Sequence, residues 1–377
     1  MSSNSFQRAI SLTQELLRFQ TINPTSPERP CAEYLAGILE QAGFSIRMHE
    51  FAPNRTSVVA RIGGHPDRRP LVFVGHTDTV PLGARSWSRD PFAGEISDGK
   101  LYGRGSSDMK SGVAAFVVAS LELASGAAAT AGLTLLIVAG EETGCEGSFH
   151  LARHADIGAA GAMVIGEPSS NHPLVGHKGA LWLRARTRGV TAHGSMPEKG
   201  VNAIYAAARA VAALESFRFD VVPDGLLGSP TLNVGTIRGG LNLNSVPDQA
   251  EIGIDIRTIP GQRHSELRAA LQAALGREVE LEPVVDVPSI RTPVENPWVQ
   301  EVFELMTPIL GERPKARAAT YFTDASALTP AFGGVATIVL GPGEPSVAHQ
   351  TDEWCEVDRI GQAVEAYVEI ARRWCTL

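Results

Sequence analysis

The chain contains several short apolar runs, three of which end at ionisable residues, and this pattern most constrains its fold. The runs are VVARI (58–62), PLVFVGH (70–76), LTLLIVAG (133–140) and AMVIGEP (162–168). Continuous apolar runs of this length are typical of parallel strands that helices cover on both faces. Segments with helical periodicity lie near residues 5–20, 31–43 and 111–124. This alternation of strands and helices predicts an α/β fold with a mainly parallel, doubly wound sheet.

The pattern changes between residues 179 and 288, where the strands alternate apolar and polar residues, as in IGIDIRT. The elements of this segment run strand, helix, strand, strand, helix, strand, which is the order of a ferredoxin-like domain. A helical segment near 296–310 and the run GGVATIVLGPG then return to the α/β pattern. Because 377 residues exceed what one hydrophobic core usually supports, we expect a domain formed by 1–178 and 289–377, with 179–288 inserted into it.

Composition and charge narrow the class of partner. A formal charge of −8 without any basic run argues against nucleic acid or an anionic membrane surface. No stretch approaches the roughly 20 apolar residues of a membrane span, and the N-terminal residues lack the apolar segment of a signal peptide. The four cysteines form no C-x-x-C pair, which indicates a reducing compartment. These features predict a cytoplasmic protein that acts on a small molecule.

Imidazole and carboxylate side chains stand at the ends of the predicted strands, where open α/β sheets place their ligand sites. They are His76 and Asp78, Glu141 and Glu142, and Glu167, with Asp108 in the loop GRGSSDMKSG and His349 after VLGPGEPSVA. One such residue alone is more often a turn former or a cap than a ligand. Convergence of several strand ends favours a shared cation. The mixture of imidazole and carboxylate suits zinc, manganese or cobalt, whereas calcium prefers oxygen ligands alone.

The doublet Glu141-Glu142 indicates a division of labour. Consecutive residues that leave a strand point in different directions, so one carboxylate can bind a cation while the other faces water. A carboxylate beside a cation-activated water can accept its proton as the water attacks a carbonyl. The doublet therefore predicts amide hydrolysis.

The H-x-D spacing of His76 and Asp78 predicts a supporting role for the aspartate. A ligating imidazole usually donates its other N–H to a carboxylate or carbonyl, which fixes its tautomer. Asp78 is the candidate for that role. If His76 binds no metal, Asp78 reads instead as the cap of a local turn.

Eight segments carry a resemblance to a known family. They are GHTDTVP (75–81), LYGRGSSDMKSG (101–112), EETGCEG (141–147), GEP (166–168), TAHGSMPEKGVNAI (191–204), GGLNLNSVPDQA (239–250), DIR (255–257) and AHQTDE (348–353). In sequence and in order they resemble the M20 family of metallopeptidases and deacylases. The resemblance runs through most of the chain.

The resemblance implies a role for each residue of the strand-end set. Asp108 would bridge two divalent metal ions, with His76 and Glu167 completing one site and Glu142 and His349 the other. Glu141 would be the general base. The resemblance also implies zinc as the metal, with cobalt or manganese as alternatives, and a cis peptide bond between Asp108 and Met109.

The resemblance extends to the inserted domain, which it implies is a lid and a homodimer interface. His193 would stabilise the oxyanion, in dimers that of the neighbouring subunit. Asn244 and Arg257 would hold the substrate, Arg257 through a substrate carboxylate; as alternatives, Arg257 reads as a solvated residue and Asn244 as a turn residue. Thr323 and Asp324, in YFTDASAL, lie in the family's variable substrate loop. His177-Lys178-Gly179 is predicted to be a hinge.

The predicted function is cleavage of the amide bond of a small N-acyl amino acid, of the deacetylase or desuccinylase type. A dipeptidase or carboxypeptidase, or a hydrolase or deaminase of another small compound, would use the same site. A binding protein without catalysis is the remote alternative, which the presence of all five ligand positions and Glu141 disfavours.

Overall fold

The computed structural model describes residues 3–127 and 130–376. The described residues form nine α-helices: α1 (Ser3–Arg18), α2 (Arg29–Gln41), α3 (Lys110–Ala127), α4 (Glu146–His154), α5 (Ala203–Ser216), α6 (His264–Leu275), α7 (Pro297–Leu310), α8 (Ala325–Ala331) and α9 (Val357–Cys375). None of them is long and apolar enough to cross a membrane.

Sixteen strands form three sheets within the same described residues. They are β1 (Ser45–Ala52), β2 (Arg55–Ile62), β3 (Leu71–His76), β4 (Ile96–Ser97), β5 (Lys100–Tyr102), β6 (Leu133–Val138), β7 (Ala162–Ile165), β8 (Leu174–His177), β9 (Gly179–Arg188), β10 (Thr231–Gly239), β11 (Gln249–Thr258), β12 (Val279–Val287), β13 (Ile290–Arg291), β14 (Arg317–Ala319), β15 (Ala336–Val339) and β16 (Trp354–Glu356).

The chain folds into two compact units. Unit 1 comprises residues 1–176, 291–317 and 323–377, and unit 2 comprises 177–290 and 318–322. The segment 318–322, which the sequence analysis assigns to the catalytic domain, groups with unit 2. Its backbone explains why, because the Ala319 carbonyl accepts a hydrogen bond from the Lys178 amide at 3.0 Å.

The main sheet of unit 1 has the order β1-β2-β6-β3-β7-β15-β8-β13, with β14 paired to β8. Its centre, β6-β3-β7-β15, is parallel. The neighbouring strand β2 is antiparallel to β6, and β1 is antiparallel to β2. The predicted α/β class is confirmed, but the sheet is mixed, because the two residues between β1 and β2 allow only a hairpin.

The central strands explain the core of unit 1. Every residue of β3, β6 and β7 is buried, as expected for apolar strands covered on both faces. Helices α1, α3 and α9 pack against one another, and α3 and α9 both contact β3, while α2 and α4 contact β1 and β2. The carboxyl ends of β3, β6 and β7 therefore lie side by side at one edge of the sheet.

Unit 2 contains a four-stranded antiparallel sheet with the order β10-β11-β9-β12. Helices α5 and α6 pack on it, and its core comprises alternate residues of β9 and β11 such as Leu181, Leu183, Ile252 and Ile254. The alternation read from the sequence thus separates a core face from an outer face. The element order in chain sequence is β-α-β-β-α-β.

A third sheet, β16-β5-β4, has strands of only two or three residues, and the sequence did not predict it. It pairs Trp354 with Tyr102 and Glu356 with Lys100. This pairing joins the chain just before the Asp108 loop to the chain just after His349.

Candidate metal centre

One cluster forms around the end of β3. His76 Nε2 lies 3.2 Å from Asp108 Oδ1 and 3.4 Å from Glu167 Oε1. His76 is the last residue of β3 and Glu167 follows β7, so the parallel pairing of these strands brings the two side chains together. Asp108 reaches them from the turn that precedes α3. His76 and Glu167 are both buried.

A second cluster shares Asp108. His349 Nε2 lies 3.0 Å from Glu142 Oε1 and 3.3 Å from Asp108 Oδ2. The two oxygens of the Asp108 carboxylate therefore face different histidine and glutamate pairs. The His349 side chain is 52% exposed, so this side of the centre is open to solvent.

Ligand atoms of these residues are close enough to surround a cation. Within the described residues, one group of atoms lying within 4.8 Å of one another comes from His76, Glu141 and Glu167, and another comes from His76, Asp108 and Glu142. The structure thus brings together all five predicted metal ligands and Glu141.

The electrostatics of the protein alone are unfavourable. Burial, followed by the negative charge of Asp108, raises the pKa of Glu167 well above its usual value and also raises the pKa of Glu142. Burial and the charge of Glu167 raise the pKa of Glu141 in the same way. Several buried carboxylates that repel one another fit a centre in which divalent cations balance the charge.

The histidines respond to the same carboxylates. Burial opposes the charged imidazolium, but hydrogen bonds to Asp108 and Glu142 raise the pKa of His349 to about 11. Burial likewise opposes the charged form of His76, but the charge of Glu167 and the hydrogen bonds to Asp108 and Asp78 together raise its pKa well above the usual value. In the protein alone, the second proton on each imidazole ring balances the charge of the carboxylates, as a cation would in the loaded site.

The tautomer of His76 suits a ligand. Its Nδ1 lies 3.0 Å from the main-chain oxygen of Asp78, and because a carbonyl only accepts, Nδ1 carries the proton. In a loaded site, Nε2 would therefore be free to present its lone pair to a cation held together with Asp108 and Glu167. The Asp78 carboxylate is farther from Nδ1, at 3.5 Å.

That carboxylate supports the glutamate doublet as well. Asp78 Oδ1 accepts the Glu141 amide and Oδ2 accepts the Glu142 amide, both at 3.1 Å. The Asn23 side chain also donates to Oδ2. Asp78 is therefore tied both to His76 and to the turn that carries Glu141 and Glu142.

Glu141 lies in the turn after β6 and is buried. Its main-chain oxygen accepts the amides of Gly144 and Cys145, both at 2.8 Å, so the turn is closed locally. The Cys145 thiol lies 3.8 Å from Glu141 Oε1, and burial raises the pKa of that thiol well above its usual value. Cys145 is therefore a protonated neighbour of Glu141 and not a nucleophile.

Gly112 allows helix α3 to pack closely against the end of β7. A Cβ on Gly112 would lie 2.0 Å from the Gly166 carbonyl oxygen, which is far inside van der Waals contact. The absence of a side chain lets the start of α3 approach Glu167 closely, and this places Asp108 beside it. The Asp108–Met109 peptide bond is cis, which confirms the expectation from the resemblance.

Two of the predicted residues of unit 2 are neighbours. His193 forms an isolated bridge with Ser245, and the Asn244 carbonyl accepts the Gly194 amide at 2.7 Å. Both His193 and Asn244 are exposed. His193 Nδ1 accepts the Ser195 amide at 3.2 Å and lies 2.7 Å from the Ser195 hydroxyl.

Arg257 is half-buried and already paired. Its Nε lies 3.1 Å from Asp255 Oδ1, and its Nη2 donates to Asp255 Oδ2 at 3.2 Å. The guanidinium also lies 5.9 Å from the centre of the Trp182 ring. Asp255 and Trp182 hold the guanidinium in one orientation within unit 2.

Thr323 and Asp324 are fully buried in unit 1 at the start of α8. The Thr323 hydroxyl accepts the Ala325 amide at 3.1 Å. Burial raises the pKa of Asp324 to about 7, against the opposing attraction of His76. Asp324 therefore adds another carboxylate to the acidic surroundings of Glu141.

Three further buried charged residues, Glu28, Arg104 and Glu353, lie around the centre and were not predicted from the sequence. Glu353 and Arg104 form an ion pair behind the Asp108 loop. Glu28 pairs with Arg55 and accepts the Gly140 amide at 3.0 Å, just before the glutamate doublet. Arg104 and Glu353 lie within the motifs LYGRGSSDMKSG and AHQTDE, but nothing in the spacing of these motifs pairs one with the other.

The fold and the cluster define the class: an α/β protein with a site, lined by histidine and carboxylate groups, of the kind that binds divalent cations. Residues 72–373 match the model of peptidase family M20/M25/M40. The chain belongs to this family, and the prediction of an amide-bond hydrolase is thereby confirmed.

Individual relatives match over nearly the whole chain. An acetylornithine deacetylase from Proteus mirabilis is 32% identical, over 97% of this chain and 96% of the relative. A probable succinyl-diaminopimelate desuccinylase from Staphylococcus epidermidis is 30% identical, over 99% of each. The crystal structure of an M20 family metallo-carboxypeptidase from Sulfolobus solfataricus superposes with a TM-score of 0.83 at 19% identity and covers 100% of both chains. This last similarity supports the fold.

Proposed function

We propose that the chain is a two-metal hydrolase that removes the acyl group from a small N-acyl amino acid in the cytoplasm. One observation carries the proposal: the two oxygens of Asp108 face two separate pairs of ligand side chains, His76 with Glu167 and His349 with Glu142. The deacetylase and desuccinylase named above support the choice of substrate class.

His76, Glu167 and Asp108 Oδ1 would hold one divalent cation, and His349, Glu142 and Asp108 Oδ2 the other. When bound, such cations polarise the substrate carbonyl and lower the pKa of water. We propose zinc, with cobalt or manganese as alternatives, because both ligand sets mix imidazole with carboxylate.

Glu141 is the proposed general base. Its amide donates to Asp78, and its side chain lies beside Cys145, whereas that of Glu142 approaches His349. The carboxylate accepts a proton from the attacking water and delivers it to the leaving nitrogen as the amide bond breaks.

Unit 2 is proposed to be a ferredoxin-like lid and dimerisation domain. Its element order supports the fold, and exposed apolar side chains such as Tyr205, Ile237, Leu241 and Leu243 support a homodimer interface. Sedimentation equilibrium tests the dimer, and a monomer at assay concentration would contradict it.

The family to which the chain belongs also supports a set of substrate contacts. His193 would donate to the oxyanion, with Asn244 and Arg257 binding the substrate and its carboxylate. Thr323 and Asp324 would contribute to substrate binding. Arg257→Lys should raise KM for carboxylate substrates, since the planar fork is lost. An unchanged KM would remove Arg257 from this role.

The decisive experiment is a hydrolysis screen. N-acetyl, N-succinyl and N-formyl amino acids and a set of dipeptides are assayed with zinc, cobalt and manganese. We expect release of free amine from an N-acyl amino acid. Turnover of dipeptides alone would replace the proposal by a dipeptidase, and metal stoichiometry below two per chain would refute the two-metal centre.

A further inference from the structure

Glu353 is a fully buried carboxylate that accepts hydrogen bonds from the backbone amides of the Asp108 loop. Its Oε1 accepts the amides of Ser107 at 2.8 Å and Asp108 at 3.0 Å. Its Oε2 accepts the Gly105 amide at 3.1 Å and pairs with Arg104. These four donors all come from residues 104–108, far from Glu353 in the chain.

Arg104 is also fully buried, and it hydrogen-bonds to the backbone of two further segments. Its Nη2 donates to the carbonyl oxygens of His349, at 3.3 Å, and Pro81, at 3.1 Å. The guanidinium also lies 5.2 Å from the centre of the Trp87 ring. One buried ion pair therefore contacts the backbone on both sides of the metal centre.

The hydrogen bond from Arg104 to His349 is important because the backbone of His349 has an unusual conformation. His349 has φ of 65°, a left-handed conformation that is unfavourable for residues other than glycine. The side chain is half exposed. The Arg104 donor, together with the β16·β5 pairing, ties this segment to the loop of Asp108.

We propose that Arg104 and Glu353 are positioning residues that set the distance between Asp108 and His349, and so the affinity of the second cation of the centre proposed above. They touch the backbone of the ligand residues and none of the ligand atoms. The Glu142 and His349 site, which depends on the Arg104 contact, is the one they control.

The alternative is a purely structural pair. A buried ion pair is weak support for stability, since apolar residues of similar volume often replace one without loss. Here, however, the geometry demands an acceptor with two oxygens and a donor with a planar fork. A structural role would lower stability without distinguishing the two cations.

The test is chelator competition on the metal-loaded protein, which follows release of each zinc equivalent. For Glu353→Gln and Arg104→Lys we expect affinity for one of the two equivalents to fall about 10- to 100-fold, the range for supporting residues of metal ligands. Affinity for the other equivalent should stay within about threefold. Thr13→Val, which removes a buried hydrogen bond within α1, is the control and should leave both affinities unchanged.

Three outcomes overturn the inference. Unchanged affinities in folded variants would leave only a structural role, and an equal loss at both equivalents would remove the selectivity. If the unaltered protein itself binds fewer than two equivalents, the proposed function fails first, which separates that failure from this one. Arg104→Lys keeps the charge, so it serves if Glu353→Gln does not fold.

Discussion

At the scale of single residues, the backbone directs two adjacent carboxylates to different neighbours. Asp78 accepts the amides of both Glu141 and Glu142, which fixes the turn, while the two side chains diverge. Glu142 approaches His349, whereas Glu141 lies beside the Cys145 thiol. The same two oxygens of Asp78 therefore support both the proposed ligand and the proposed base.

Glu141→Gln should lower kcat by about 10²- to 10⁴-fold, because the amide cannot accept a proton, while the bound metal is retained. Turnover and metal content are measured on the same preparation. Glu142→Gln is the matched control, and it should lose metal. Activity near the unaltered level in Glu141→Gln would remove Glu141 as the base.

The tautomer of His193 gives a second prediction at this scale. The Ser195 amide can only donate, so Nδ1 is the acceptor and Nε2 carries the proton, as an oxyanion donor requires. Ser195→Ala removes the hydroxyl donor and keeps the amide. We expect kcat to fall about fivefold, from loss of about 1 kcal/mol, with KM unchanged.

Ser195→Thr keeps the hydroxyl and should restore the rate. A rise in KM without a change in kcat would show instead that Ser195 contributes to substrate binding.

At the scale of elements, the seating of α3 on the end of β7 decides where Asp108 lies. Gly112→Ala should lower the free energy of unfolding by about 1–3 kcal/mol, because its Cβ would overlap the Gly166 carbonyl. Urea denaturation measures the loss. Gly37→Ala, in α2 with no atom within 4 Å of the new Cβ, is the control and should be neutral or stabilising. Equal effects of the two substitutions would contradict this account.

The first residue of unit 2 predicts a pH effect on stability. Burial lowers the pKa of His177 from 6.5 to about 4. The unfolded chain therefore binds a proton that the folded chain refuses, and the free energy of unfolding falls as pH drops from about 6.5 to 4. The full contribution is about 3 kcal/mol.

His177→Asn cannot titrate, so its stability should fall less steeply over that range. Denaturant unfolding at several pH values, in chelator to remove the metal contribution, measures both slopes. Parallel slopes for the two proteins would show that His177 already titrates normally in the fold.

Local sequence patterns predicted some features of the site but not others. His76, Glu142 and Glu167 follow buried apolar strands, so their convergence was visible in the pattern. The pairing of Asp108 with His349 came from the resemblance, because neither follows directly from strand order. Arg104 and Glu353 are 249 residues apart and interact mostly with backbone, which leaves no trace in spacing.

The elements show the same limit. The long apolar strands and the alternating strands of unit 2 were recognisable by periodicity. The strands β4, β5 and β16 are two or three residues long, too short for any period to appear. The antiparallel placement of β2 beside β6 leaves no signature in the apolar pattern of β2 itself.

At the scale of the whole molecule, the buried carboxylates link folding to cation binding. A cation that binds only the folded chain should stabilise it by about 2.7 kcal/mol at a concentration 100 times its Kd. Zinc or manganese should therefore raise Tm by several degrees, measured by calorimetry, and magnesium should do so less. Asp108→Asn should abolish most of the increase, and an undiminished increase would place the cations elsewhere.

The return of residues 318–322 to unit 2 means that this unit is not a continuous stretch of sequence. A fragment excised as 177–290 would leave the Lys178 amide without its acceptor at Ala319, and the Trp182 indole without the edge of the Phe322 ring. Anyone dissecting the chain by truncation would need to graft the distal pentapeptide back, for example through a short tether, before the piece could be expected to stand alone.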